Sequence, residues 1–412
     1  MTAAIARKAN QPPVYLDYQA TTPCDPRVLQ AMLPWFTEKF GNPASLTHAY
    51  GREAEAAVER ARGQLAALIH ADPREIVFTS GATEANNLAV KGALRFHKQF
   101  GPNNQGRDHI VTLVTEHKCV LESARAMEQE GFRATYLPVG PGGLVDLDRL
   151  DAAIEDKTAL VSVMAAHNEI GVIQPVAAIG ALCRGRGVLF HTDAAQAVGK
   201  IPMDVDAMAI DLMSISGHKV YGPKGIGALY IRRRPRARIA PLIDGGGQER
   251  GMRSGTLPTP LCVGLGEAAA LAQAEMAGEA TRLLALRGRF LSGIMRALPQ
   301  TRLNGDAEQR LPGNLNLSFP GIPAPALIEA CPGLALSTGS ACTAAEIEPS
   351  FVLRALGLSG DLAGASLRIG LGRFTTADEV DFAVATIAAA VQRLGAAGVT
   401  SAGMTTGVAA TT

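Results

Sequence analysis

Between residues 76 and 231 the sequence alternates short Val/Ile/Leu-rich runs with stretches of helical period. This alternation narrows the possible folds more than any other feature. The apolar runs fall at 76–79, 109–115, 134–137, 160–164, 188–192, 212–216 and 228–231, with helical patterns at 82–94, 118–130 and 176–186. Apolar runs without polar alternation suit strands buried on both faces, and the helices between them supply the crossovers. The pattern predicts an α/β chain with a mostly parallel sheet covered on both sides. Upstream, 14–18 reads as a short extended segment. Asp25 followed by Pro26 opens a helix, and a second helix is expected at 50–69. Downstream, an Ala/Leu-rich helix at about 259–298 leads to strands at 314–319 and 367–369. The Thr376 to Glu379 capping box opens a last helix through Leu394.

A chain of 412 residues is long for one core. The expected division is a large domain over 14–265 and a small α+β domain over 266–395. Residues 1–13 are expected to form a mobile arm. The tail 396–412, rich in small and polar residues, is expected to be disordered.

Open parallel sheets bind ligands beyond the carboxyl ends of their strands, so the polar residues at those ends are the first candidates for a site. Ser80-Gly81-Ala82-Thr83 follows one strand and opens a helix, a place where free N–H groups and the helix dipole favour a phosphate. Glu116-His117-Lys118 follows the next strand, Asn168 another, Asp193 and Gln196 another, and Ser216, His218 and Lys219 a fifth. A lysine at the mouth of a buried strand resists losing its water, unless it serves as a Schiff-base amine. Pyridoxal phosphate needs such a lysine, a carboxylate for its ring nitrogen and a phosphate cup. Lys219, Asp193 and the Ala82–Thr83 turn meet that need, with His117 placed to stack on the ring and Gln196 to hydrogen-bond its oxygen. Each residue also has a purely structural reading. Asp193 and Thr83 could cap helices, His117 could be a satisfied core histidine, and Lys219 could lie on the surface. One cofactor accounts for all five strand ends together.

Charged residues make up 19% of the chain and the formal net charge is +1, so no polyanion-binding surface is indicated and nucleic acid is not an expected partner. The basic cluster Arg232, Arg233, Arg234, Arg236 and Arg238 reads as a solvated turn or a subunit contact. No apolar run is long enough for a bilayer, and the N-terminal residues lack the apolar core of a secretory signal. The six cysteines show no CxxC spacing, and the eight histidines form no HExxH pair, so neither a disulfide framework nor a metal site is expected. A reducing cytoplasm fits this usage. Cys24, Cys119, Cys183 and Cys262 read as packing residues, and Cys331 as packing rather than a resolving thiol. Cys342 differs, because its neighbours 337–345 are all small, as in a flexible loop. The Gly-rich GPKGIG at 222–227 lacks the spacing of a nucleotide loop.

The segments YLDYQATTPCDP (15–26), FGNPAS (40–45), VFTSGATEANNLAVKGA (77–93), TEHKCVLES (115–123), NEIGVIQP (168–175), HTDAAQAVGK (191–200), SISGHKVYGPKGIGALYIRR (214–233), GGGQERGMRSGT (245–256) and STGSACTAAEIEPSFVLRALGL (337–358) resemble, in order, those of the cysteine desulfurases. The likeness is to the housekeeping type that supplies sulfur for iron–sulfur clusters. It implies a class-V aminotransferase fold, which is a fold-type I pyridoxal-phosphate enzyme. It also implies a homodimer with shared active sites and conversion of L-cysteine to L-alanine.

By this resemblance Lys219 joins the cofactor aldehyde, Asp193 pairs with its ring nitrogen, His117 stacks on the ring and moves protons, and Gln196 contacts the ring hydroxyl. Ala82, Thr83, Ser216 and His218 hold the phosphate, with Thr256 from the other subunit. Asn168 and Arg368 bind the substrate carboxylate, and a guanidinium fork suits that task. Cys342 is the thiol that takes the sulfur as a persulfide and passes it to an acceptor such as an iron–sulfur cluster scaffold. His167 stands in a stretch, Ala165-Ala166-His167, that departs from close relatives, and the tail after Leu394 differs from the scaffold-docking end of the housekeeping enzymes. The alternatives are a selenocysteine lyase, another enzyme of this fold, or a non-catalytic scaffold. The thiol of Cys342 argues against an aminotransferase.

Overall fold

The computed structural model describes residues 12–100, 106–339 and 349–398. The chain enters on β1 (Val14–Tyr15), then α1 (Pro26–Met32), α2 (Pro34–Thr37) and α3 (Ala49–Leu68). Asp25 caps α1 by accepting from Arg27 N, with Pro26 at the first helical position, as its sequence predicts.

A seven-stranded sheet follows. It is built from β2 (Ile76–Thr79), β3 (His109–Leu113), β4 (Arg133–Leu137), β5 (Thr158–Ser162), β6 (Leu189–Asp193), β7 (Leu212–Ser216) and β8 (Gly227–Ile231), in the order β2-β8-β7-β6-β5-β3-β4. The five strands from β7 to β4 in that order run parallel. β8 runs antiparallel to both β7 and β2. The crossovers carry α4 (Ala82–Gln99), α5 (Lys118–Gln129), α6 (Leu147–Ala153) and α7 (Val176–Arg186).

Adjacent residues along one strand feed opposite cores. Val77, Ile110, Leu160, Leu212 and Leu229 pack with α4 and α5, whereas Phe78, Val111, Val161, Met213 and Tyr230 pack with α3, α7 and the start of the long helix described next. Both faces are therefore apolar, and the strands carry no polar alternation.

α8 (Thr259–Ala297) is 39 residues long, about 58 Å at helical rise. Its first part, around Cys262 to Ala272, packs in the main core, and Leu283 to Ile294 pack in a second core. The expected division at 265/266 thus falls inside a helix that both cores share. The second core gathers around the antiparallel sheet β12-β10-β9, formed by β9 (Arg302–Leu303), β10 (Asn314–Ser318) and β12 (Ser366–Gly370). With it lie α9 (Ala324–Glu329), β11 (Leu334–Ala335), α10 (Phe351–Ala355), α11 (Gly360–Gly364) and α12 (Ala377–Ala396). The Thr376 capping box is present at the start of α12.

Three readings change. β1 pairs with β11, and Val14 and Leu16 are buried in the second core rather than with the large sheet. Two apolar side chains in a five-residue segment cannot reveal which of two cores they join. Arg232 is not a solvated turn residue. It is buried and donates to Asp206 and to the Ile210 carbonyl. α12 extends to Ala396, into the stretch expected to be disordered, while 399–412 and residues 1–11 of the expected arm lie outside the described residues. Among the described residues no helix is long and apolar enough to cross a membrane.

Candidate active site

The carboxyl ends of β3, β5, β6 and β7 open into a cavity of about 820 Å3, closed on the far side by the loop after β1 and by β12. Ala82, Thr83, His117, Asn168, Asp193, Gln196, Ser216, His218, Lys219 and Arg368 all line it. Those positions, drawn from segments far apart in sequence, meet at one place. Thr256 does not line the cavity of its own chain and is exposed. Cys342 lies outside the described residues, but Gly339 and Pro349, which flank residues 340–348, both line the cavity.

Lys219 sits on a short 3-10 turn, Gly217–Lys219, directly after β7. Its Nζ donates to the Gln19 and Ala20 carbonyls. The same loop returns the contact, since Thr22 Oγ1 donates to the His218 carbonyl at 3.0 Å and Thr21 Oγ1 lies 3.0 Å from His218 Nδ1. Burial first, then the charge of Lys219, lowers the His218 pKa to about 4, so its ring is neutral near pH 7.

Asp193 is the last residue of β6 rather than the residue after it. It is buried, and its carboxylate accepts from Ala195 N at 2.9 Å and from Asn86 Nδ2 at 2.7 Å. Gln196 Nε2 donates to the Gln19 carbonyl at 2.8 Å, and its Oε1 accepts from Lys200 Nζ at 2.7 Å. Burial, and then Lys219, pull the Lys200 pKa down to about 7.

α4 begins at the cavity with Gly81 as its cap and no capping side chain. A Cβ built on Gly81 would meet no atom within 4 Å. A helix start left open in this way is suited to an anion. His117 caps α5, its Nδ1 accepting from Cys119 N at 3.2 Å.

Arg368 comes from the centre of β12 and is 1% exposed. It pairs with Asp17 at 2.7 Å and donates to the Asn168 and Gly339 carbonyls, each at 3.1 Å. Its Nε is buried with no partner among the described residues. His167 is buried and bonded to the Thr115 carbonyl and to Glu169 N, and burial lowers its pKa to about 4. Burial pushes Glu116 well up and Glu169 up as well. Cys331 is buried in the second core.

Asp17, Gln19, Asn86 and Lys200 are hydrogen-bonded neighbours of these residues that the residue-by-residue reading did not single out, although all lie inside the quoted segments. Cys119 packs against the α4–α5 core as expected, and it also lines the cavity and is hydrogen-bonded to His117. Among the described residues no group of three or more His, Cys, Asp or Glu side chains could hold a metal ion.

The donor set fits pyridoxal phosphate: an amine at Lys219, a buried carboxylate at Asp193 and an uncapped helix start for a phosphate, all on one cavity.

The family model for aminotransferase class-V matches residues 14–382. The chain belongs to that family. Within it the chain groups with the cysteine desulfurases. It is 58% identical over 382 residues to a protein named cysteine desulfurase IscS from Rickettsia rickettsii (strain Iowa), covering 93% of this chain and 92% of that one. It is 60% identical over 370 residues to a cysteine desulfurase of Mus musculus, covering 90% and 79%. Among solved structures, a NifS-like protein superposes with a TM-score of 0.85 at 37% identity over 93% of this chain and all of the other. A structure described as SspA in complex with cysteine gives 0.75 at 38% identity, covering 88% of this chain and 100% of that one.

Proposed function

We propose that this chain is a pyridoxal-phosphate-dependent cysteine desulfurase that takes L-cysteine to L-alanine and hands on the sulfur from Cys342. The observation that carries the reading is the convergence of Lys219, Asp193, His117, Gln196 and Arg368 on one cavity, in a chain this close to the cysteine desulfurases. When bound, pyridoxal phosphate supplies an aldehyde for amines and an electron-withdrawing ring that acidifies the Cα of an attached amino acid.

The chain's own residues do the rest. Ala82, Thr83, Ser216 and His218 hold the phosphate at the open start of α4, with Thr256 of the second subunit. Asp193 would hold the ring nitrogen in its protonated form, Gln196 would serve the ring oxygen, and His117 would stack on the ring. Arg368 Nε is the donor left over for the substrate carboxylate, because the other guanidinium nitrogens already serve Asp17 and two carbonyls. Asn168 lines the same corner. Lys219 Nζ, when free, would be the base that takes the proton from the substrate Cα and the acid that returns it.

The Cys342 thiolate then attacks the substrate sulfur. A Cys342 S–S bond forms and the substrate C–S bond breaks. The three-carbon remainder takes a proton at Cβ, regains the one at Cα and leaves as alanine, and the persulfide sulfur passes to a thiol reductant or an acceptor protein. An iron–sulfur cluster scaffold is the proposed acceptor. The cytoplasm is the proposed site of action, where thiols stay reduced, and the described cysteines are all free. The working unit is a homodimer, because Thr256 is exposed and away from its own cavity.

The test compares the purified protein with Cys342→Ala. The wild type is expected to be yellow and to form alanine and, with a thiol reductant, sulfide. The variant is expected to keep the visible absorption and its change on adding cysteine, but to release no sulfide. Equal sulfide from both proteins would remove Cys342 from the reaction.

A further inference from the structure

Cys119 is the one thiol among the described residues that lines the cavity, and the scheme above leaves it without a task. Its contacts have a fixed direction. Asn86, fully buried on α4, donates from Nδ2 to Asp193 Oδ2 at 2.7 Å and to Cys119 Sγ at 3.0 Å. A carboxylate only accepts, so the orientation of the Asn86 amide is set. The Cys119 backbone N–H donates to His117 Nδ1 at 3.2 Å, so that nitrogen presents a lone pair. Cys119 Sγ lies 2.9 Å from the same Nδ1, and the proton in that contact must be the thiol's own. A neutral imidazole whose Nδ1 accepts carries its proton on Nε2.

We propose that Cys119 is a positioning residue. Its thiol, steered by Asn86, donates to His117 Nδ1, holds the imidazole as the neutral Nε2–H form, and links the ring to the carboxylate of Asp193. This deepens the reading of His117 and Asp193 as cofactor-facing residues and rests on it. Protonating His117 at Nδ1 would break two donor contacts at once, so the proton that His117 exchanges is the one on Nε2. Glu116 and Lys118 stand beside His117, Asp193 approaches from β6, and His167 and Glu169 from the turn after β5. Lys219 and Arg368 complete the charged groups nearest the reacting end. Burial raises both Glu116 and Glu169, and both carboxyls act on the charge of His117, so they favour an imidazolium where the thiol opposes it.

The experiment uses cofactor-loaded protein with isotope-labelled histidine. His117 signals are assigned by difference against His117→Gln, and the ring nitrogens are followed through a pH titration. The wild type is expected to show a bare Nδ1 and a protonated Nε2 near pH 7. In Cys119→Ala the titration midpoint of His117 is expected about one pH unit higher, roughly a tenfold gain in proton affinity. Cys119→Ser is expected to return toward wild type, since a hydroxyl can also accept from Asn86 and donate to Nδ1. The pH dependence of the cofactor's visible absorption is expected to shift in the same order. Three proteins that titrate alike, or a wild type with the proton on Nδ1, would overturn the proposal. These readouts need no turnover. Their failure leaves desulfuration standing, and an inactive protein with the expected titration leaves the positioning role standing.

Discussion

Arg368 shows how one side chain can be placed in a protein interior without being used up. Asp17 neutralises it and two carbonyls hold Nη1, and the remaining Nε is buried without a partner among the described residues. An unpaired donor on a buried cation is costly, and a carboxylate ligand relieves that cost. Arg368→Lys keeps the charge but loses the fork. We expect kcat/KM for cysteine to fall roughly 10- to 150-fold, about 1.5–3 kcal/mol for a charged hydrogen bond. The cofactor absorption should stay in place. Steady-state kinetics beside a spectrum checks both, and loss of the cofactor signal would show that Arg368 serves the cofactor instead. Lys219 and Asp193 are legible in the sequence because charged residues at the ends of buried strands are anomalous, and the fold class says where strand ends lead. Asp17 is not legible in the same way, because its partner lies 351 positions away and nothing local in an extended segment marks it. Lys200 and Cys119 are hidden for a related reason. Their roles come from the groups they touch, not from a pattern of their own.

At the scale of elements, the segment from Gly245 to Thr256 is tied down at its strained turn by the carboxylate of Glu249, beside the contacts of Arg250 with the Ile76 carbonyl and of Arg253 with Glu84. Glu249 and Arg250 both adopt positive φ, 50° and 57°, a conformation that L-residues keep only when their surroundings enforce it. The enforcement comes from Glu249, which accepts from both Arg62 Nη atoms at 2.8 and 2.7 Å and from Phe78 N at 2.7 Å. It thereby ties the segment to α3 and β2. The pair is nearly dry, with side chains 3% and 1% exposed. Glu249→Ala leaves the Phe78 N–H unsatisfied and takes the bidentate partner from a buried guanidinium that keeps only Glu59 and the Ile76 carbonyl, and we expect a loss of about 3–5 kcal/mol in denaturant unfolding. Arg74→Ala, which removes an ion pair whose arginine is 68% exposed and screened by solvent, should leave the unfolding midpoint nearly unchanged. Equal effects from the two variants would mean that Glu249 is not the anchor. The main strands and long helices are legible because their periods are unambiguous, and most differ from expectation only at their ends. Short helices such as α6, α10 and α11 are not, since five to seven residues carry no readable period.

The same segment matters at the scale of the whole molecule. Thr256 at its end is exposed and does not line its own cavity, which suits a residue delivered to a neighbouring copy. A second observation points the same way. Leu29, Leu33, Phe36, Phe40, Leu46 and Tyr50 are all between 46% and 66% exposed, and all belong to α1, α2, the start of α3 or the loops joining them. Phe40 and Tyr50 already stack, with ring centroids 5.4 Å apart. Solvent-facing apolar side chains concentrated in this way mark an interaction surface, since a monomer gains nothing by leaving them wet. A second copy of the chain, the partner proposed above, would also explain Thr256. Leu33→Glu combined with Phe36→Glu places two charges where a closed interface would bury them, and the isolated chain should fold as before because both positions face water. By sedimentation, the wild type is expected at twice the mass of one chain and the double variant at one. Sulfide release should fall with dissociation, and raising the variant's concentration should recover part of it by mass action. A variant that stays dimeric and fully active would move the subunit contact to another face and leave the exposed apolar side chains of α1 and α2 to a different partner.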